Sequence, residues 1–127
     1  GDIQQTEAEL SRVSDLMAAV VQYAKTRPAF DGYKAAKYNR KYLAEHEAEL
    51  ADYRAAKATM AELLGGEKLP KMDVLKEKRR QLAARKKALY LEYRKAQQDM
   101  RELVAVKGSV DHLRGLTDNQ RNKEQTR

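Results

Sequence analysis

An apolar residue recurs at every seventh position through the last third of the chain, and this repeat limits what the chain can fold into. Its members are Leu75, Leu82, Leu89, Ala96, Leu103 and Val110. Tyr93 and Met100 fall between them at steps of three and four residues. Such spacing is typical of a long α-helix whose apolar seam packs on another helix in a left-handed supercoil. The repeat therefore predicts a helix over about 70–114.

Two earlier segments carry similar seams. The first predicts a helix over about 2–26, with the seam Ile3, Thr6, Leu10, Val13, Met17, Val20 and Ala24. We expect Pro28 to end it, because proline lacks an amide hydrogen and disfavours helical geometry in the residue before it. The second predicts a helix over about 40–64, with Asn39 as its N-cap and Gly65 and Gly66 at its end. Residues 27–39 would form an elbow between them.

These patterns predict an all-α protein, and the composition agrees. Charged residues make up 35% of the chain, and one Phe with no Trp leaves little material for a sheet core. The short segment at 65–69 favours an elongated antiparallel helical hairpin or three-helix bundle with coiled-coil-like seams. It leaves open a longer coiled coil that a second copy completes. The helical domain would cover 1–115, and the polar tail 116–127 is expected to be disordered.

Most catalytic and metal-binding chemistries find no support in the sequence. There is no Cys, which excludes disulfides and thiolate metal sites. Neither His46 nor His112 has a Glu three residues before it, so the carboxylate–histidine pattern of bundle metal sites is absent. The apolar run 16–24 is too short to span a bilayer. We therefore expect no catalytic residue, no metal ligand, no cofactor and no membrane contact, and a cytoplasmic protein.

The basic residues are concentrated in the last long helix. The net charge is +7, and residues 67–115 hold fourteen basic and seven acidic side chains. Five cations fall within roughly 60° of one another on a helical wheel, with Tyr90 beside them. They are Lys76, Arg80, Lys87, Arg94 and Arg101. This stripe predicts sequence-independent contact with single-stranded or duplex DNA through its phosphates, with Tyr90 stacking on a base.

A second interpretation of the charge remains open. A charge run on a long helix is often a solvated face. If 40–64 and 70–114 form a hairpin, the acidic run 45–52 lies opposite 84–91 and neutralises part of the basic cluster. The sequence alone does not choose between these interpretations.

Several stretches resemble a known family. The segments "LAEHEAEL" (43–50), "EYRKAQQDMREL" (92–103) and "VDHLRG" (110–115) are similar to the C-terminal helical region of MobA-like relaxases, the mobilisation nucleases of plasmids and conjugative transposons of gut bacteria. The resemblance covers about residues 3–115. Relaxases of this kind nick DNA with a Tyr nucleophile and a histidine-bound metal, which belong to an N-terminal domain that this chain lacks.

The resemblance implies a non-catalytic segment of a DNA-processing protein. It would assist mobilisation by contacting the DNA backbone, relaxosome proteins or secretion-coupling proteins. The alternative from another functional class is a coiled-coil-like scaffold without DNA binding, which binds other proteins or forms a homodimer.

Overall fold

The protein is an all-α helical bundle, as the repeats predict. The computed structural model describes the backbone of residues 1–125 and the side chains of residues 1–115. Its helices are α1 (Asp2–Ala35), α2 (Arg40–Glu45), α3 (Glu47–Leu64) and α4 (Met72–Gln125). No strand occurs within residues 1–125. The contacts divide the chain into unit 1, Gly1–Lys86, and unit 2, which begins at Lys87.

An antiparallel pair of helices, α1 and α3, forms the centre of unit 1. Arg12, near the start of α1, donates to the carbonyl of Leu63 near the end of α3 at 3.2 Å. Farther along α1, Gln22 donates to the carboxylate of Asp52, near the start of α3, at 3.4 Å. The sequence predicted that the segment 40–64 would pair with 70–114, whereas its close partner is α1. Alanines buried on both α1 and α3 explain this choice, because small side chains let two helices approach closely.

The first part of α4 joins this pair through an apolar cluster. Val13, Leu16 and Met17 of α1 meet Leu75 and Leu82 of α4 there. Partly buried side chains from α3 and the loop after it complete the cluster; they are Met60, Leu63, Leu64 and Leu69. Two turns of the predicted seven-residue seam therefore pack as expected.

Pro28 does not end α1, contrary to the sequence-based expectation. The helix continues to Ala35. A proline inside a helix removes one backbone hydrogen bond, and the packing of the following turn offsets that loss. Phe30 stacks on Tyr53 of α3 with ring centroids 4.4 Å apart, and Ala29 is buried. The elbow is correspondingly short and begins after Ala35.

The chain reverses at Lys37 and Tyr38, which both adopt left-handed backbone conformations (φ 55° and 58°). Asn39 then caps α2, as predicted, because its side-chain oxygen accepts from the amides of Lys41 at 2.7 Å and Tyr42 at 3.4 Å. The Tyr42 hydroxyl reaches back and donates to the Ala29 carbonyl at 2.7 Å. This contact ties α2 to the last turns of α1.

His46 separates α2 from α3, where the sequence predicted one continuous helix. Its φ of −120° interrupts the helical geometry, and its ring stacks on Tyr42 with centroids 4.0 Å apart. The imidazole Nδ1 also lies 3.0 Å from the Tyr42 carbonyl oxygen. At the other end of α3, Gly65 takes the left-handed C-cap conformation that the sequence predicted.

The last helix differs from prediction at its end. α4 runs to Gln125, beyond the expected stop at 114 and through most of the expected disordered tail; residues 126 and 127 lie outside the described part. Gly108 and Gly115 do not stop it, because a glycine in a helix costs only about 1 kcal/mol relative to alanine. No proline follows Pro70 to impose an end.

The apolar seam of unit 2 is uncovered. Leu89 is half-buried, but Ala96, Leu103 and Val110 are exposed, with 65% of Leu103 open to solvent. A second copy that covers this half of the seam, which the sequence left open, stays a prediction.

Candidate nucleic-acid interface

The basic side chains of α4 begin where the helix packs on α1. Leu75 and Leu82 face the core of unit 1 and are buried. Because successive residues turn by about 100°, the positions just after Leu75 lie on the flanks of the contact, near the surface of α1. Seven of the twelve residues from 76 to 87 are Lys or Arg, and all except the half-buried Lys86 are exposed.

Three of these cations line an open groove between α1 and α4. The groove has a volume of about 600 Å³ and is lined by Leu10, Ser14, Lys76, Arg79, Arg80 and Ala83. No carboxylate belongs to this lining. Lysine and arginine donate only, and a serine hydroxyl can also donate a hydrogen bond. The groove therefore offers an anion several donors and no acidic competitor on its walls.

Arg80 has a carboxylate partner on its own helix. Its Nε and Nη2 atoms donate to the two carboxylate oxygens of Glu77 at 3.0 Å and 2.6 Å. Hydrogen bonding from Arg80 lowers the pKa of Glu77 below its ordinary value, and the same contact raises the pKa of Arg80. Both side chains are exposed, so solvent screens the pair and a phosphate can compete for the guanidinium.

The remaining members of the predicted stripe lie in unit 2. Lys87, Arg94 and Arg101 are exposed there. Tyr90 is half-buried, and its backbone carbonyl accepts from Arg94 Nε at 3.4 Å. Only part of the Tyr90 side chain is therefore accessible for the predicted stacking on a base.

The structure adds two residues that sequence reasoning did not select, Arg79 and Ser14. On the helical wheel Arg79 lies close to the apolar seam, so the pattern alone assigns it to the packing side. Ser14 is one residue after the seam position Val13 and carries no charge. Only the packing of α1 on α4 shows that both border the groove, and no signal in the sequence could have revealed it.

A hairpin of 40–64 with 70–114 would place the acidic run 45–52 opposite 84–91. The contacts of this run are different. Asp52 is bonded to Gln22 of α1, and α3 packs against α1. Glu45 and Glu49 are exposed. The ion pairs among the described residues join no carboxylate of this run to Arg85 or Lys86, so the predicted neutralisation of part of the basic cluster has no support in these contacts.

The described residues contain neither a metal-binding cluster nor a membrane-spanning helix. No group of three or more His, Asp or Glu side chains there is arranged to hold a metal ion. None of the helices has the length and apolar character needed to cross a bilayer.

Comparison with known protein families, curated proteins and solved structures found no match to this chain. The resemblance to MobA-like relaxases therefore stays a prediction.

Proposed function

We propose that this chain is a non-catalytic helical module that binds the phosphate backbone of nucleic acid. The observation that carries the proposal is the groove lined by Lys76, Arg79 and Arg80 without a carboxylate on its walls. A net charge of +7, concentrated in α4, attracts a polyanion from a distance as well. The charged donors of the groove suit phosphate, whose contacts carry no sequence information, so binding is expected to depend little on sequence.

Fluorescence anisotropy with labelled single-stranded and duplex oligonucleotides at increasing salt tests this function. Binding should weaken linearly on a log–log plot, because phosphate contacts release counterions. The double variant Lys76→Glu with Arg79→Glu should weaken binding and reduce the salt slope by about one for each lost phosphate contact. Absence of binding at low salt would refute the proposal.

A matched control variant distinguishes the effect of the groove on DNA affinity from the effect of net charge. Arg54 and Lys57 are exposed on α3, and reversing both changes the net charge by the same amount as reversing Lys76 and Arg79. The α3 variant should retain most of the affinity and the salt slope. Equal losses in the two double variants would show that charge alone, and not the groove, governs binding.

Glu77 offers a test in the opposite direction. Replacing it with Gln removes the carboxylate that holds Arg80 and makes that guanidinium available to phosphate. Glu77→Gln should therefore bind DNA more tightly than the unmodified chain. Unchanged affinity would show that Arg80 takes no part in the interface.

We propose DNA mobilisation as the biological setting, with the module acting beside a relaxase nuclease. The resemblance of 43–50 and 92–115 to the helical region of MobA-like relaxases supports this, and so does the basic groove. The module should have no nicking activity of its own. The full reading frame tests the setting: a histidine-cluster nuclease domain encoded upstream is expected, and its absence would contradict the relaxase context without affecting DNA binding.

A protein-interaction scaffold is the second candidate function. The observation that favours it is the row of exposed apolar residues in unit 2, among them Met100, Leu103 and Val104, each more than 60% exposed. A scaffold without a nucleic-acid role would self-associate or bind another protein and show no salt-dependent DNA binding. The anisotropy experiment above therefore distinguishes the two candidates.

A further inference from the structure

Exposed apolar residues of unit 2 lie along one side of the helix, with charged residues at intervals among them. We call the surface made by Tyr93, Ala96, Met100, Leu103, Val106 and Val110 the apolar face. All six are exposed. At 100° per residue they lie within about 80° of Leu103 on either side. An exposed apolar surface of this kind marks an interaction site.

The spacing of the apolar face is symmetric about Leu103. Met100 and Val106 lie three residues before and after it, and Ala96 and Val110 lie seven residues before and after it. Consider two copies of this helix that run antiparallel and are related by a twofold axis at Leu103. A residue that precedes Leu103 by a given number of positions in one copy is then level with the residue that follows Leu103 by the same number in the other copy. Every member of the face is then level with an apolar residue of the second copy, including Leu113 for Tyr93.

The charged residues follow the same symmetry with opposite signs. Within the apolar face, Asp99 lies four residues before Leu103 and Lys107 four residues after it. Both are within about 40° of Leu103 on the helix, so an antiparallel pairing puts each carboxylate beside an ammonium of the second copy. Glu92 and Arg114, within about 20° of Leu103, are matched in the same way nearer the ends of the segment.

No like-charged pair arises at neutral pH when residues 92–114 are paired in this manner. A parallel, in-register pairing would instead set Asp99 against Asp99 and Lys107 against Lys107 in the apolar layer. Like charges placed together disfavour an association strongly. The charge pattern therefore selects the antiparallel arrangement.

We infer that the apolar face binds a second copy of this chain, as an antiparallel helix pair whose twofold axis passes through Leu103. The dimer leaves the basic residues of unit 2 uncovered. Lys87, Arg94 and Arg101 lie about 160° to 180° from Leu103 around the helix. Dimerisation therefore does not depend on the proposed nucleic-acid function, and the failure of either proposal leaves the other standing.

Sedimentation equilibrium of the full chain, without DNA, tests the self-association. A reversible monomer–dimer equilibrium is expected. Leu103→Asp places two carboxylates on the twofold axis and should yield a monomer, while Leu91→Asp changes a residue outside the apolar face and should leave the dimer intact. Thermal unfolding of unit 1 should be the same in both variants, which excludes a folding defect. A chain that stays monomeric at all concentrations would overturn the inference.

Charge exchange tests the pairing of Asp99 with Lys107. Asp99→Lys alone and Lys107→Asp alone each create two like-charged pairs in the antiparallel dimer and should weaken self-association by more than about tenfold. The two substitutions together restore opposite charges and should recover the dimer. Absence of recovery in the double variant would refute the proposed register.

Disulfide trapping reports the orientation directly, because the chain has no cysteine of its own. A mixture of Ala96→Cys and Val110→Cys should form a mixed disulfide, since these positions are level in the antiparallel pair. Ala96→Cys alone should not crosslink, because the two copies of residue 96 would lie about 21 Å apart along the axis, far beyond disulfide reach. Crosslinking of Ala96→Cys alone would indicate a parallel dimer and overturn the inference.

Discussion

Gly32 lies inside α1 at a position where alanine should destabilise the protein, although alanine is the better helix former. In an exposed helix, Gly→Ala stabilises by about 1 kcal/mol. At Gly32, however, an added Cβ would overlap the Tyr42 hydroxyl and come within 2.9 Å of the ring carbon Cζ. Tyr42 cannot yield easily, because it stacks on His46 and its hydroxyl donates to the Ala29 carbonyl.

The size of the effect follows from these opposing contributions. Displacing Tyr42 loses a hydrogen bond worth about 1 kcal/mol, and forcing a methyl group into an occupied space costs about 1–3 kcal/mol. After the helix-propensity gain is subtracted, Gly32→Ala should lower the free energy of unfolding by about 1–3 kcal/mol. For a unit of this size, each kcal/mol lowers Tm by about 4–8 °C.

Urea denaturation followed by circular dichroism measures the change, and two comparisons make it decisive. In a Tyr42→Ala background the obstacle is gone, so Gly32→Ala should become neutral or stabilising. Gly108→Ala, where nothing lies within 4 Å of the added Cβ, should increase helix content. An increase in stability for Gly32→Ala in the unmodified protein would refute the proposed packing of Tyr42 on α1.

Two further predictions concern the core of unit 1. Leu50→Ala should lower the free energy of unfolding by about 2–5 kcal/mol in urea denaturation, because Leu50 is only 1% exposed. Leu91 is 54% exposed, so Leu91→Ala should change this free energy by less than about 0.5 kcal/mol. Equal effects of the two substitutions would contradict the assigned burial. The pKa of Tyr53 is raised above its ordinary value by a hydrogen bond with Tyr23 and then by burial. The folded state therefore favours the neutral form of Tyr53. The stability that this preference contributes is fully present below about pH 10, the ordinary pKa of tyrosine. It is lost as the pH rises through the higher pKa that Tyr53 has in the folded state. Thermal unfolding at increasing alkaline pH should show this loss, with a weaker pH dependence in Tyr53→Phe than in Tyr38→Phe; identical profiles would contradict it.

Local signals in the sequence predicted the helices well. The N-cap at Asn39, the C-cap at Gly65 and the packing of Leu75 and Leu82 each depend on a few neighbouring residues, and all were correct. Pro28 misled the prediction, because the stacking of Phe30 on a residue of α3 supports the turn after it. That contact is distant in sequence and leaves no local trace.

Pairing between helices was harder to predict than the helices themselves. Apolar seams of similar spacing on three helices allow several pairings, and the choice depends on which pair of seams has small residues in matching positions. For the candidate site, the sequence identified Lys76 and Arg80, but the groove exists only where α1 meets α4. Arg79 and Ser14 therefore could not be selected without the fold.

The uncovered seam of unit 2 has a consequence for hydrogen exchange. Backbone amides exchange when the bonds that protect them open locally, and the free energy of opening reflects the packing around them. Between Leu91 and Gly115 every described residue is exposed, so only the helix's own bonds protect those amides in a single copy. Their deuterium uptake should therefore report occupancy of the seam by slowing as protein concentration rises, while the amides around Leu50 exchange at a rate independent of concentration.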